Sequence, residues 1–249
     1  MTKTLGLIGA GRIGGALARL ALAAGLDVVV SNSRGPQTLT ETVAEWGEGA
    51  RAATVEDAAR QGDIVVATVP LGAYRRLPAD ALAGRTVLDT MNYYPERDGS
   101  VAELDSRELT SSELVQRRLS GAHVVKACNN IDFRRLEILA RPTGAPDRSA
   151  LPVAGDSTAA KEEAIRLLDV LGYDAVDLGP LSESWRSEPS TAVYVQPYLP
   201  ERPPGLTDAE DVMRWFLDCP GAPLPADRLA VLLRDAVRQS PADARERLA

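Results

Sequence analysis

Short apolar runs alternate with longer helical patterns along most of this chain, and that alternation restricts the fold more than any other feature. Thr4–Ile8 precedes a helical pattern over residues 13–24, Asp27–Ser31 one over 38–46, and the run 64–69 one over 74–82; further runs span 86–90 and 123–127. Val28-Val29-Val30 and Ile64-Val65-Val66 are β-branched or apolar without polar alternation, as strands covered on both faces require. Such strands, joined by helices, build a parallel sheet with helices on both sides. Residues 151–154, 157–171 and 175–178 add a strand-helix-strand unit. Ser157 can cap its helix, Glu162 and Glu163 sit in the early turns, and Gly172 falls just past the end.

The turn after the first run narrows the possibilities. It reads Gly9-Ala10-Gly11-Arg12-Ile13-Gly14, directly after an apolar strand and directly before a helical pattern. In such a G-x-G-x-x-G turn the first glycine permits a tight bend, the second lets the backbone approach a pyrophosphate, and the third lets the helix pack closely on the strand. The helix N-terminus adds unpaired N–H groups and the positive end of its dipole. Gly9, Gly11 and Gly14 are therefore candidate dinucleotide-binding residues in an α/β fold, a Rossmann-type doubly wound, mostly parallel sheet. The second strand ends in Ser31-Asn32-Ser33-Arg34, where a site for NAD(H) usually carries Asp or Glu to hold the ribose hydroxyl. No carboxylate stands there to repel a 2'-phosphate, whereas hydroxyls and an arginine fork can bind one. These residues favour NADP(H) over NAD(H).

Ligands in such sheets bind outside the carboxyl ends of the strands, so Thr68-Val69-Pro70, Asn92 and Ala127-Cys128-Asn129-Asn130 are expected in one crevice. Thr68, Val69, Pro70, Asn92, Ala127 and Asn129 are candidate cofactor contacts; Asn92, Asn129 and Asn130 are candidate substrate contacts. Small or neutral polar groups suit a flat ring lying against a nicotinamide, where the cofactor does the chemistry. Carbonyl reduction needs an acid near the substrate oxygen, and Tyr93, with its neighbour Tyr94, and Lys126 are the candidates. The one histidine, His123, begins a strand and is expected at the end away from the crevice. Cys128 reads as a small apolar filler rather than a reactive thiol. Arg134, Arg135 and Arg141 read equally as contacts for an anionic substrate or as a solvated helix face.

Charge and composition exclude other classes. With 28 basic and 35 acidic residues the net charge is −7, and no basic cluster gives the footprint of a nucleic-acid binder. Cys128 and Cys219 are too remote for a disulfide framework or a zinc site, and no metal is expected. Neither a signal peptide nor a membrane span is read, since Arg19 and Asp27 interrupt the most apolar stretch; a soluble cytoplasmic homo-oligomer without membrane partners is the expectation.

Composition shifts near Pro189. Four prolines in QPYLPERPPGL cannot continue a helix or a central strand, and residues 191–206 read as a linker or a wrapping arm. Beyond it, Ala209, Val212, Met213, Phe216 and Leu217, then Leu229, Leu232, Leu233, Ala236 and Val237, keep helical spacing. The expected organisation is a nucleotide-binding sheet over 1–190, the arm, and a two-helix C-terminal extension over 207–249, with a frayed tail from Ser240.

Together, LGLIGAGRIGGALA, SNSR, ATVP, VVKACNNI, VAGD and LLDVLGYDAVDLGPL give residues 4–189 a pattern that resembles the NADP oxidoreductases dependent on coenzyme F420, a 5-deazaflavin. The resemblance implies that Gly9, Gly11, Arg12, Ile13, Gly14, Ser31, Ser33 and Arg34 hold NADP(H). It also implies direct hydride transfer between nicotinamide C4 and deazaflavin C5, with no obligatory side-chain acid. The chain departs from that family at Cys128, where an aromatic is more usual, and in its C-terminal extension. Similarity to pyrroline-5-carboxylate and imine reductases is confined to the first domain. Three readings follow: hydride exchange between NADP(H) and a deazaflavin or flavin-like acceptor, NADPH-dependent reduction of a small C=N or C=O substrate, or non-catalytic NADP(H) sensing and partner binding.

Overall fold

In the computed structural model, which describes residues 4–238, the apolar runs pair into one sheet of eight strands. They are β1 (Thr4–Ile8), β2 (Asp27–Ser31), β3 (Ala50–Ala52), β4 (Ile64–Ala67), β5 (Thr86–Asp89), β6 (His123–Lys126), β7 (Ala150–Gly155) and β8 (Asp174–Gly179), in the order β3-β2-β1-β4-β5-β6-β7-β8. All neighbours are parallel except β6 and β7, which run antiparallel. From β1 the chain first winds outward through β2 and β3, then returns to place β4 on the other side of β1. That reversal makes the gap between the ends of β1 and β4 the topological switch point, where open α/β sheets bind ligands.

Alternate residues of the central strands feed opposite faces of the sheet, as a pleated strand requires. Ile64 and Val66 join Leu5, Leu7, Val28 and Val30 in one core, covered by α1 (Arg12–Ala23) through Leu17 and Ala21. Val65 and Ala67 join Ile8, Val87 and Val124 in the other, covered in part by α3 (Val55–Gln61) and α4 (Ser111–Arg118). The edge carries α2 (Thr40–Trp46) beside β3. Each fully buried Leu or Val in these faces contributes about 1.5–3 kcal/mol.

The β7–β8 unit forms as its sequence signals require. Between the strands, α6 (Thr158–Leu171) begins at Ser157, whose side chain accepts the Ala160 N–H, and ends at Gly172, which takes the left-handed conformation (φ +100°). Two other stretches differ from expectation. Residues 74–82 are not one helix: a 3-10 turn over Leu71–Arg76 and a single turn over Ala79–Leu82 are separated at Pro78, whose ring and missing N–H break the helical ladder. Edge strand β3 was not anticipated, because three residues of Ala-Arg-Ala carry no strand pattern.

The C-terminal chain returns to the sheet. The short helix α5 (Phe133–Ile138) presents Arg134 to the Leu217 carbonyl and Arg135 to the Phe216 and Cys219 carbonyls, which fixes the end of α7 (Ala209–Asp218). The Ala150 N–H of β7 donates to the Leu224 carbonyl at 2.8 Å. Leu229 and Leu233 of α8 (Ala226–Arg234) are buried in the first core. The tail from Ser240 lies outside the described residues. Among those described, no helix is long and apolar enough to cross a membrane.

One ion pair is sealed between β5 and β6. Asp89 and Lys126 face each other in the register, are at most 1% exposed, and approach to 3.4 Å. Asp89 also accepts the Ser112 hydroxyl at 2.6 Å and the Met91 N–H at 2.8 Å, while Lys126 donates to Ser111 Oγ at 3.1 Å and to the Met91 carbonyl. Removing one partner of a buried pair strands the other charge, at a cost of about 3–5 kcal/mol. Lys126→Ala is expected to lower the urea unfolding free energy by about that amount; an unchanged midpoint and slope would mean that the pair does not hold the β5–β6 ends together.

Candidate functional site

The glycine turn is built by contact, and each glycine has a separate physical reason. At Gly9 the backbone takes φ +119°, and a Cβ would stand 2.2 Å from the Thr68 carbonyl oxygen at the end of β4. At Gly14 a Cβ would stand 2.3 Å from the Gly9 carbonyl oxygen, so only glycine lets α1 close on the turn. Gly11 is different: a Cβ there would meet nothing within 4 Å. No protein contact requires glycine at this position, and the space it leaves lies beside the start of α1. That helix has no side-chain cap, so its first amides remain available to an anion.

From this turn a cleft of about 490 Å³ runs along the carboxyl ends of the strands. Gly11, Arg12 and Ile13 form one wall, Thr68, Val69 and Pro70 a second, and Thr90, Met91 and Asn92 with Cys128 and Asn129 a third. Ile131, Asp132, Phe133, Tyr94 and Arg97 complete it, together with Tyr194 and Val195 from the C-terminal arm. The Arg12 guanidinium stacks 5.2 Å from the centre of the Phe133 ring. At the end of β2, Ser33 and Arg34 are exposed. Asn32 shapes that turn: its Oδ1 accepts the Arg34 N–H at 2.9 Å, and its amide donates to Thr38 at 2.8 Å.

Several predicted residues lie elsewhere. Ser31 is fully buried and donates its hydroxyl to the Leu7 carbonyl at 2.9 Å, so it locks β2 to β1 and is closed to a phosphate. Ala127 is fully buried in the first core and is not on the cleft. Asn130 is fully buried; its amide donates to the Val193 carbonyl at 3.2 Å and the Tyr198 hydroxyl at 3.1 Å, which makes it an anchor for the arm and not a substrate contact. Lys126 is sealed against Asp89, and the Tyr93 hydroxyl donates to Asp105 at 2.7 Å beneath residues 99–101. Burial and the Asp105 carboxylate push that phenol up to about 12. Neither is placed to protonate a substrate. Arg134 and Arg135 are spent on α7, and Arg141 pairs with Asp147 at 2.8 Å. His123 lies at the opposite strand end, exposed, as expected.

Asn92 and Asn129 do reach the cleft, but as a brace. Asn92 Nδ2 donates to the Asn129 carbonyl at 2.8 Å, Asn129 Nδ2 returns a bond to Asn92 Oδ1 at 3.1 Å, and Asn129 also bonds the Ser187 carbonyl at 2.7 Å. Cys128, with φ +57° at the β6 end, is buried, and burial pushes its thiol up to about 12, so it is not a nucleophile at neutral pH. Tyr194 and Val195 were missed because no sequence signal places a Pro-rich arm over a crevice formed far earlier in the chain.

A G-x-G-x-x-G turn at the switch point of a mostly parallel sheet defines a Rossmann-type dinucleotide-binding fold. Residues 4–93 match the family described as NADP oxidoreductase coenzyme F420-dependent, so the resemblance read from the motifs is borne out over that stretch. A curated relative from Escherichia coli K12, YjhV, is 39% identical over 64 residues, which are 26% of this chain and only 43% of that protein. Among solved structures, the hypothetical protein SMa0349 of Sinorhizobium meliloti is 29% identical with a TM-score of 0.67, covering 78% of this chain and 93% of that one. A protein of Arthrobacter sp. FB24, named as a candidate F420-dependent NADP reductase, is 24% identical with a TM-score of 0.61, over 74% of this chain and 87% of its own. The imine reductase of Myxococcus stipitatus in complex with NADP+ shares the fold at 24% identity and a TM-score of 0.51, over 72% and 55% of the two chains.

The glycine geometry makes a contrast that urea unfolding can read. Gly14→Ala overpacks the turn and is expected to cost about 1–3 kcal/mol, whereas Gly11→Ala, facing open space, should stay within about 0.5 kcal/mol of the parent. Equal losses at both positions would contradict the contact assignment.

Proposed function

We propose that this chain is an NADP(H)-dependent oxidoreductase that exchanges hydride with a flat heteroaromatic acceptor of the deazaflavin type, coenzyme F420 foremost. The observation that carries the reading is the unfilled space at Gly11 beside the uncapped start of α1, opening into a cleft most of whose lining side chains are apolar or neutral polar. The space at Gly11 and the amides of Arg12 and Ile13 suit a pyrophosphate. Ser33 and Arg34 supply a hydroxyl and a guanidinium for a 2'-phosphate, with no carboxylate at the strand end to oppose it. NADPH, when bound, supplies the hydride. The protein's part is to hold two rings in contact and exclude water, which the Thr68–Pro70 wall and the Asn92–Asn129 brace are placed to do.

Reduction of a small C=N or C=O group is less well supported, because Tyr93 and Lys126 are both sealed away and the Tyr94 hydroxyl, which does line the cleft, is engaged with that of Tyr194. Anaerobic mixing of the protein with NADPH and oxidised F420 is expected to bleach the F420 absorbance band in proportion to enzyme. No bleaching, with turnover of imines or ketones instead, would overturn the acceptor assignment. Arg34→Ala is expected to reduce the preference for NADPH over NADH by about tenfold or more, since a charge-assisted pair to phosphate is worth about 1.5–3 kcal/mol. An unchanged ratio would remove Arg34 from the 2'-phosphate site.

A further inference from the structure

The acceptor end of the cleft carries groups that the glycine turn does not need. The arm crosses it at Val195, which takes φ +59° and ψ −52°, with the Gln196 N–H bonded back to the Tyr194 carbonyl at 2.6 Å. This is a γ-turn of the strained hand, centred on a β-branched residue for which positive φ is exceptional. It persists because it is clamped on both sides. The Val195 N–H donates to the Asn130 carbonyl at 2.8 Å, Asn130 Nδ2 holds the Val193 carbonyl, and the fully buried Tyr198 donates its hydroxyl to the Ala150 carbonyl at 2.9 Å.

The turn delivers Tyr194 to Tyr94, and the two hydroxyls hydrogen-bond each other. Tyr94 is itself fixed by the Arg97 guanidinium, 4.8 Å from its ring centre and forked onto Asp98. Two phenols carry two protons, and one lies between them, so the pair has one O–H left over. Burial raises both phenols above their ordinary range, which keeps that proton in place.

Asp132, on the same cleft, has the complementary property. Its Oδ1 accepts the Arg134 N–H at 3.0 Å and pairs with Arg135 at 3.3 Å, but its Oδ2 is buried with no partner among the described residues. The side chain is only 9% exposed, and its charge is felt at Tyr194. A buried carboxylate oxygen without a donor is costly to leave unpaired.

We propose that the Tyr94–Tyr194 phenol pair and Asp132 Oδ2 are the specificity-determining groups of the acceptor site: the spare O–H donates to a carbonyl and the spare carboxylate oxygen accepts an N–H. A carbonyl beside an N–H is the imide edge of a flavin or deazaflavin-type ring. The arm, with its strained turn at Val195, is thereby part of the acceptor site. The inference rests on the oxidoreductase reading above, and it assigns a ligand edge and residues which that reading leaves open.

The test is binding to the NADP+-loaded full chain, read by quenching of riboflavin fluorescence, with 3-methylriboflavin as the ligand-side control. Losing one hydrogen bond of this kind corresponds to about tenfold in affinity. The parent is expected to bind riboflavin about tenfold more tightly than its N3-methyl derivative. The double variant Tyr94→Phe/Tyr194→Phe, which removes the spare O–H whichever phenol holds it, should weaken riboflavin by a similar factor while NADPH affinity, read by nicotinamide fluorescence, changes less than about twofold. Val195→Gly, which keeps both phenols but frees the turn, should also weaken riboflavin selectively. Equal affinity for the two flavins, or riboflavin binding untouched by the double variant Tyr94→Phe/Tyr194→Phe, would overturn the proposal with the cofactor reading intact. Failure of NADPH itself to bind would overturn the reading on which it rests.

Discussion

The closeness with which Gly9 passes the Thr68 carbonyl governs everything at the carboxyl edge of the sheet. With any side chain at Gly9 the ends of β1 and β4 would have to separate, and α1, which closes on Gly9 through Gly14, would be lifted with them. Between those two tight contacts, Gly11 alone of the three glycines faces open space. A local steric constraint thus positions a helix N-terminus at the one place where the winding of the sheet reverses. The chemistry of the cleft follows from that placement more than from any reactive side chain.

The opposite end of the cleft depends on a second set of contacts, and these come from late in the chain. Asn130 and Asp132, two residues apart at the β6 exit, hold the arm and the buried Arg135, and Arg135 in turn holds the end of α7. A positive-φ valine costs on the order of 1–3 kcal/mol, which the hydrogen bonds from Asn130 and Tyr198 offset. Strain kept in place by several independent contacts at a cleft wall suits a geometry needed for a ligand rather than for the fold. Leu224, Leu229 and Leu233 share the core of the sheet, so the arm is tied down at both of its ends.

What could be read in the sequence and what could not divide along physical lines. Strands such as β2 and β4 were legible because burial on both faces demands uninterrupted Val and Ile, and α6 because Ser157 and Gly172 mark its ends. The capping box of Thr110 and Glu113 was present in the letters as well, and it could have located α4. Strand β3 was not legible, since its pairing with β2 is dictated by its neighbours and not by its own side chains. In the site, the glycine turn could be read because backbone sterics are local. Ala127 and Asn130 sit beside cleft residues, and Ser31 beside the exposed turn that ends β2, but all three face the interior, a distinction of one pleat that a strand-end argument does not resolve. Lys126 illustrates the same limit: a lysine at a strand end suggested a proton donor, whereas Asp89, far away in the chain, makes it half of a buried pair.

In the proposed complex the start of α1 receives a dinucleotide pyrophosphate in the space left by Gly11. Amide hydrogen exchange at Arg12 and Ile13, whose N–H groups lie in the first turn and have no intrahelical partner, reads that contact directly. On saturation with NADP+ these amides should exchange markedly more slowly, while amides in the middle of α1, already bonded within the helix, change little. Exchange at Arg12 and Ile13 that stays the same in the free and NADP+-saturated protein would contradict pyrophosphate binding at the start of α1.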